Sequence, residues 1–243
     1  MRLGKIQRVD NLYAEVVRQV KKAIIAGEYS PGESLPGEHD LALRLGVSRP
    51  VVREALRTLQ SQGFLEIRRG TKGGAFVREP DGLIFSENLA HLIRLRKITV
   101  NHLSQARLLL EPEVCRLAAL NIGERDLAAL KGLLDEYDTT VSVDRKVSLN
   151  AHFHRLISRA SGNPFYAIIM ESIMDFTEDF IRTIKPVDRI IHKDGEHRKI
   201  LSAIVKHNAE RAEALMRRHA SDILDEMRRL EETWLSLIPG GKK

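Results

Sequence analysis

The sequence predicts a mostly α-helical chain of two domains: a winged helix-turn-helix with a small β-hairpin wing over residues 1–80, then an antiparallel bundle of about seven helices over residues 81–243. Three observations predict it. Apolar residues recur at helical spacing along most of the chain. β-prone runs are confined to one short stretch on either side of Gly70-Thr71-Lys72-Gly73-Gly74. A length of 243 residues favours two compact units over one.

Composition sets the class. With 43% hydrophobic and 30% charged residues, the chain can bury a real core. Its longest apolar runs are a handful of residues, far short of the roughly 20 that cross a bilayer. The start, Met1-Arg2-Leu3-Gly4-Lys5, is basic but has no apolar stretch after it, unlike a secretory signal. A single cysteine, Cys115, excludes an internal disulfide, reads as a small buried side chain and fits a reducing cytoplasm. Charge is unevenly spread. Residues 1–80 hold 14 Lys+Arg against 9 Asp+Glu, so they carry most of the net +6. A basic domain beside a near-neutral one implies that only the first meets a polyanion.

The first 80 residues divide cleanly. Leu12, Val16, Val17, Val20, Ile24 and Ile25 predict a helix over about 11–26, stopped by Gly27. Turn-forming residues from Tyr29 to Pro36 separate it from a second helix over 37–45, ended by Gly46. Ser48 reads as the N-cap of a third helix reaching about Gln62. On that helix Val51, Val52, Ala55, Leu56 and Leu59 share one side, and Arg49, Arg53, Arg57 and Gln60 the other. Guanidiniums so aligned can fork onto guanine or clamp phosphates. The runs Phe64–Arg69 and Ala75–Val77 then form a hairpin whose tip is glycine-rich and basic.

The motif Pro31-Gly32-Glu33-Ser34-Leu35-Pro36-Gly37-Glu38, with Leu41-Ala42 and Leu45-Gly46-Val47-Ser48-Arg49-Pro50-Val51-Val52-Arg53-Glu54-Ala55-Leu56, resembles the signature of GntR-type regulators. The resemblance implies a recognition helix in the major groove and a wing tip in the minor groove. It assigns DNA contact to Arg49 and Arg53 and makes Gly70 the wing glycine. With the neighbouring basic and polar positions, the expected DNA-facing set is Arg49, Arg53, Ser48, Arg57, His39, Arg69, Gly70 and Lys72. His39 is a departure, because many members carry an arginine there.

Pro80-Asp81-Gly82 reads as the linker. Helices follow over about 83–97, 100–121, 124–141, 145–160, 164–185, 189–206 and 209–236, with Thr99 and Asn208 as caps and Gly195 interrupting the sixth. Eight of the nine histidines lie here. Asn150 and His154 are four residues apart and share a helix face, while His197 and His219 sit on later helices. Imidazoles converging from several helices with an oxygen ligand would make a Zn2+-type site. Spacing alone leaves the ordinary alternative open: surface or core histidines. His91, His102, His152, His192 and His207 are read that way.

The stretches Arg107–Pro112, Asn150–Ile157, Ser161-Gly162-Asn163-Pro164 and Glu196-His197, with His219, resemble the FCD-type ligand-binding domain of the FadR-like GntR regulators. Together the two resemblances span roughly residues 10–235. They imply a divalent metal on Asn150, His154, His197 and His219, with Zn2+ expected and Ni2+ as the second choice. The usual residue at 150 is aspartate, so the neutral amide of Asn150 should weaken the site. Arg107 matches a position associated with effector carboxylates, where it could form a fork. Its other reading is a structural salt bridge to Glu111.

The expected function is that of a cytoplasmic, homodimeric transcription repressor on a palindromic DNA operator, modulated by a small organic acid near the metal, with no membrane partner. One alternative is the same regulator with an acyl-type effector and no metal. A metal-dependent hydrolase is remote: three histidines could activate water, but no general-base motif such as His-Glu-x-x-His is present.

Overall fold

The computed structural model describes residues 12–70, 73–79, 89, 91–92, 95, 98–184 and 195–237. The chain divides into two compact units, Met1–Ile84 and Phe85–Lys243. The linker expected at 80–82 and most of the helix expected at 83–97 lie outside the described residues, as do 189–194 of the sixth bundle helix.

The first unit runs α1 (Leu12–Ile25), α2 (Glu38–Leu45), α3 (Arg49–Ser61), β1 (Leu65–Arg68) and β2 (Gly74–Val77). Val16 and Val20 of α1, Leu41 of α2 and Val52, Ala55, Leu56 and Leu59 of α3 close one apolar core, roofed by Leu65, Ala75 and Val77 of the hairpin. β1 and β2 are antiparallel, with Leu65 opposite Val77 and Arg68 opposite Gly74. The sequence reading missed a third rung. Residues 32–35 lie along β2, through Leu35 N–H to Ala75 C=O (2.8 Å), Val77 N–H to Glu33 C=O (2.8 Å) and a bridge between Ser34 and Phe76. Turn chemistry there hid a short extended piece.

The second unit contains α4 (Val100–Asn121), α5 (Glu124–Thr139), α6 (Val143–Ala160), α7 (Pro164–Ile184), α8 (Glu196–Val205) and α9 (Ala209–Leu237). α9 packs most extensively on α4, and α6 on α7. The core these helices share with α8 buries Val114, Cys115, Phe153, Ile157, Met174, Phe180, Ile204 and Met216. Burial pushes the Cys115 thiol well above its usual range, so it is inert packing. Arg155 ties α6 to α7 through Glu171 (2.9 Å), Asp175 (2.5 Å) and Glu178 (3.3 Å).

Several boundaries correct the sequence reading. α2 starts one residue later than expected, and α5 stops at Thr139 rather than 141. α6 starts at Val143 rather than 145, because Ser142 accepts the Arg145 N–H at 3.2 Å and caps it there. Ser48 holds the N-cap position of α3, but its side chain makes no capping hydrogen bond. Gly195, where an interruption of the sixth bundle helix was expected, marks a helix start. At φ 84° it adopts the left-handed conformation that glycine reaches cheaply, and it is the N-cap from which α8 begins at Glu196. Thr99 does cap α4, in a reciprocal box with His102 (3.2 and 3.3 Å), and Asn208 caps α9 by accepting the Arg211 N–H at 3.0 Å.

Candidate functional site

In the first unit, α3 turns its apolar side to the core and leaves Arg49, Arg53, Arg57 and Gln60 exposed. With α2 and the wing it bounds a concave face lined by His39, Arg49, Arg53, Arg57, Arg69 and Gly70. Six of the eight residues expected to face DNA therefore converge. Ser48 is exposed at the start of α3, outside that lining, and Lys72 lies outside the described residues. The wing tip needs its glycines. Gly70 has φ 102°, and a Cβ on Gly73 would sit 2.5 Å from the Arg68 carbonyl oxygen. Arg68 itself stacks on Phe76 at 4.2 Å and bonds Glu66.

The sequence reading did not foresee the acidic residues on this face. Arg53 donates to both carboxylate oxygens of Glu38, from Nη2 at 2.7 Å and from Nε at 3.0 and 3.1 Å. That hydrogen bond holds the Glu38 carboxyl below its usual range. Arg57 pairs with Glu54 at 3.0 Å. The signal was available, since Glu38 sits in the quoted motif at the start of α2. What was missing was the 15-residue separation that folding closes.

In the second unit, the ring nitrogens of His154, His197 and His219 offer ligand atoms that all lie within 4.8 Å of one another, and all three residues are buried. Three helices bring them there: α6, α8 and α9. Ring centroids are 5.5 Å apart for His154 and His197, 5.3 Å for His154 and His219, and 4.9 Å for His197 and His219. Phe153 lies against His197 at 4.3 Å, and Tyr137 meets it edge-on at 6.1 Å.

Two carboxylates stand behind the imidazoles. His154 Nδ1 is 3.0 Å from Glu111 Oε2, and His219 Nδ1 is 3.1 Å from Glu196 Oε2. Glu111 is gripped on its other oxygen by Arg107 Nε at 2.5 Å. Burial works to raise the Glu111 carboxyl, but the Arg107 guanidinium and the His154 imidazole outweigh it and hold it far below the usual range. An ionised carboxylate beside Nδ1 favours the His154 tautomer that carries its proton there and turns Nε2 to the other imidazoles as an acceptor. Burial pushes the His154 pKa down against the pull of Glu111, which favours the neutral ring.

The chain matches two sequence families in succession. Residues 12–77 match bacterial regulatory proteins of the gntR family, and residues 102–222 match the FCD domain. The chain belongs to the GntR family of regulators. It is 28% identical over 222 residues to the Uxu operon regulator of Haemophilus influenzae, covering 88% of this chain and 81% of that protein. It is 24% identical over 233 residues to the HTH-type transcriptional repressor NanR of an Enterobacter species, covering 94% and 87%. Among solved structures, a Streptococcus agalactiae GntR protein superposes with a TM-score of 0.61 at 25% identity, covering 88% of this chain and 99% of that one.

A GntR head and an FCD domain make this a DNA-binding transcriptional regulator with a small-molecule-binding domain, and not an enzyme. Among the described residues no helix is long and apolar enough to cross a membrane.

The histidine cluster has the donor chemistry of a transition-metal centre. His154 Nε2 and His219 Nε2 face each other at 3.4 Å, and in the tautomers with protons on both Nδ1 atoms these two nitrogens present lone pairs to one another. Lone pairs so placed suit a cation, and about 3.4 Å separates two imidazole nitrogens on a tetrahedral ion with bonds of about 2.0–2.1 Å. Asn150 is buried one turn before His154 on α6. Arg107 is buried on α4, with its Nη1 3.5 Å from Thr177 Oγ1 and 3.8 Å from Met227 Sδ. Two other histidines have other work: His102 is in the α4 cap, and His207 Nδ1 meets the Ala119 carbonyl at 2.8 Å.

Proposed function

We propose that this regulator is a homodimeric repressor whose affinity for a palindromic operator is set by a small organic acid bound at a divalent metal, Zn2+ by preference and Ni2+ as second choice. Asn150, His154, His197 and His219 would hold the ion, which would supply a Lewis-acidic anchor for a carboxylate. The observation that carries the reading is the buried triad, with His154 Nε2 and His219 Nε2 aimed at each other from carboxylate-held rings. The likeness to the NanR repressor supports repression over activation.

Arg107 would add to effector binding through its Nη edge, because its Nε edge is committed to Glu111. Arg107 would then serve in both ways, paired with Glu111 through Nε and turning its Nη edge to a ligand's carboxylate. Arg49, Arg53 and Arg57 would read and clamp DNA, with Ser48, His39, Arg69, Gly70 and Lys72 around them. Effector binding that favours one arrangement of the dimer by about 1–3 kcal/mol changes operator occupancy several-fold or more.

The test uses protein purified without a histidine tag. Elemental analysis should find about one equivalent of transition metal per chain, lost in His154→Ala and His197→Ala. Small carboxylates should then weaken binding to an operator selected from random DNA, and a chelator should abolish that response. Metal-free wild-type protein that cannot be loaded with Zn2+, Ni2+ or Co2+ would sink the metal-linked sensor and leave the DNA-binding assignment standing.

A further inference from the structure

Resting on the DNA-binding reading above, we infer that Gln60 and Ile67 seat one sugar-phosphate strand of the duplex through uncharged contacts. The Gln60 amide donates to a phosphate oxygen, and Ile67 packs on the deoxyribose beside it. The concave face of the first unit has two basic parts: the α3 row of Arg49, Arg53 and Arg57, and the wing tip at Arg69 and Gly70. α3 and the hairpin also supply Leu56, Gln60, Ile67 and Ala75 to this lining, and none of these is charged. A duplex has one backbone strand between each groove and the next. A face that puts α3 in one groove and the wing tip in the neighbouring one therefore carries that strand across the lining shared by α3 and the hairpin.

Both residues are placed for this by the periods of their elements. At about 100° per residue, Gln60 falls between Arg49 and Arg53 around the α3 axis. It sits in the last turn of α3, on the side where the chain passes into the hairpin, and it is exposed. On β1, Leu65 and Ile67 share the hairpin face that also holds their partners Val77 and Ala75. Leu65, Val77 and Ala75 are buried, whereas Ile67 is 37% exposed, so the apolar face of the hairpin runs past the edge of the core into the concavity. The opposite face holds Phe76 with Arg68, which stacks on Phe76 and bonds Glu66. An amide can donate to a phosphate without adding charge. The sugar is the apolar part of the strand, and Ile67 offers it an apolar surface. Contacts of this kind fix the register of the arginines on the duplex and read no sequence themselves.

The test measures binding of the full-length chain to the selected operator and to scrambled duplex, by fluorescence anisotropy across a range of salt. The variants are Gln60→Met, Ile67→Thr and Gln60→Lys, with Gln62→Lys as the control from outside the lining. Circular dichroism confirms that each is folded. Methionine keeps the length and helical preference of Gln60 and removes only the donor. We expect Gln60→Met and Ile67→Thr each to weaken both duplexes by the same factor, about 2- to 10-fold. The slope of log affinity against log salt should not change, because a neutral contact displaces no counterion. Gln60→Lys should steepen that slope by about 0.9 for each head bound, and Gln62→Lys should not. Wild-type affinity in Gln60→Met or Ile67→Thr overturns this inference, and so does an equal slope in the two lysine variants. A loss confined to the operator also overturns it, since Gln60 or Ile67 would then read a base. In each of these cases the DNA-binding reading stands. A wild-type chain that binds neither duplex overturns both.

Discussion

The head and the helical domain use the same chemical pair, an arginine with a glutamate, to opposite physical ends. Arg53 and Glu38 meet on an open face, with side chains 48% and 32% exposed. Arg107 and Glu111 meet inside the bundle, at 3% and 2%. Water and salt screen the first pair, so its partners are held weakly and exchange readily for a phosphate or a guanine edge. The second pair has lost its water and must stay matched, because either charge alone in the interior is expensive. In the head, arginines are contacts waiting for a better partner. In the bundle, one arginine is a fixed part of the frame that orients His154.

The sharpest way to break that contrast is to remove one member of the buried pair. Arg107→Met leaves the Glu111 carboxylate uncompensated and should cost about 3–5 kcal/mol of stability in the metal-free protein. The chain has one tryptophan, Trp234, buried in the second unit against Phe176 and Phe180, so its fluorescence in a urea titration follows that unit alone. Adding Glu111→Gln to Arg107→Met removes the stranded charge while leaving an acceptor for His154, and should recover part of the loss. A single variant as stable as wild type would show that the pair is not the frame described here.

Removing an arginine from the open face should do the reverse. Arg53→Ala should leave the melting temperature within about 1 °C of wild type, since exposed pairs contribute little. Binding to the selected operator should fall roughly 10- to 100-fold, the value of one good bidentate base contact. Fluorescence anisotropy against operator and scrambled duplexes separates the possibilities. A loss shared equally by both duplexes would make Arg53 a phosphate contact, and no loss on either would remove it from the interface.

The two sites were unequally legible for the same reason that they differ physically. The head's arginines lie within one helix, so a single periodicity exposes Arg49, Arg53 and Arg57 opposite Val52, Ala55 and Leu56. Helix starts and stops were readable within a residue or two wherever a cap or glycine marked them, as at Thr99, Gly46 and Asn208. The metal-type cluster draws on α6, α8 and α9, across residues 154 to 219, and periodicity within any one helix says little about which faces meet. Spacing offered those histidines as one reading among others, and the family resemblance joined them. The partners Glu111, Glu196 and Glu38 carry no spacing signal toward the residues they hold, because the contacts exist only once the chain has folded.

The smallest expected effect probes the head's own competitor for DNA. Glu38→Gln removes a carboxylate from the face that must approach phosphates and loosens the hold on Arg53. Stability should barely move near neutral pH. The Glu38 carboxyl is held below its usual range when folded, so what the pair contributes is present above the unfolded pKa and fades as the pH falls through the folded one. On DNA, one less negative charge should strengthen binding to scrambled duplex a few-fold at low salt, an advantage that shrinks as salt rises. Binding to the selected operator should change less, since the freed Arg53 must now be ordered by the base it contacts rather than arriving already held. The ratio of operator to scrambled affinity should therefore narrow. An unchanged ratio would mean that Glu38 is a bystander to recognition, and a ratio that widened would mean that it competes with the operator for Arg53 more than it prepares it.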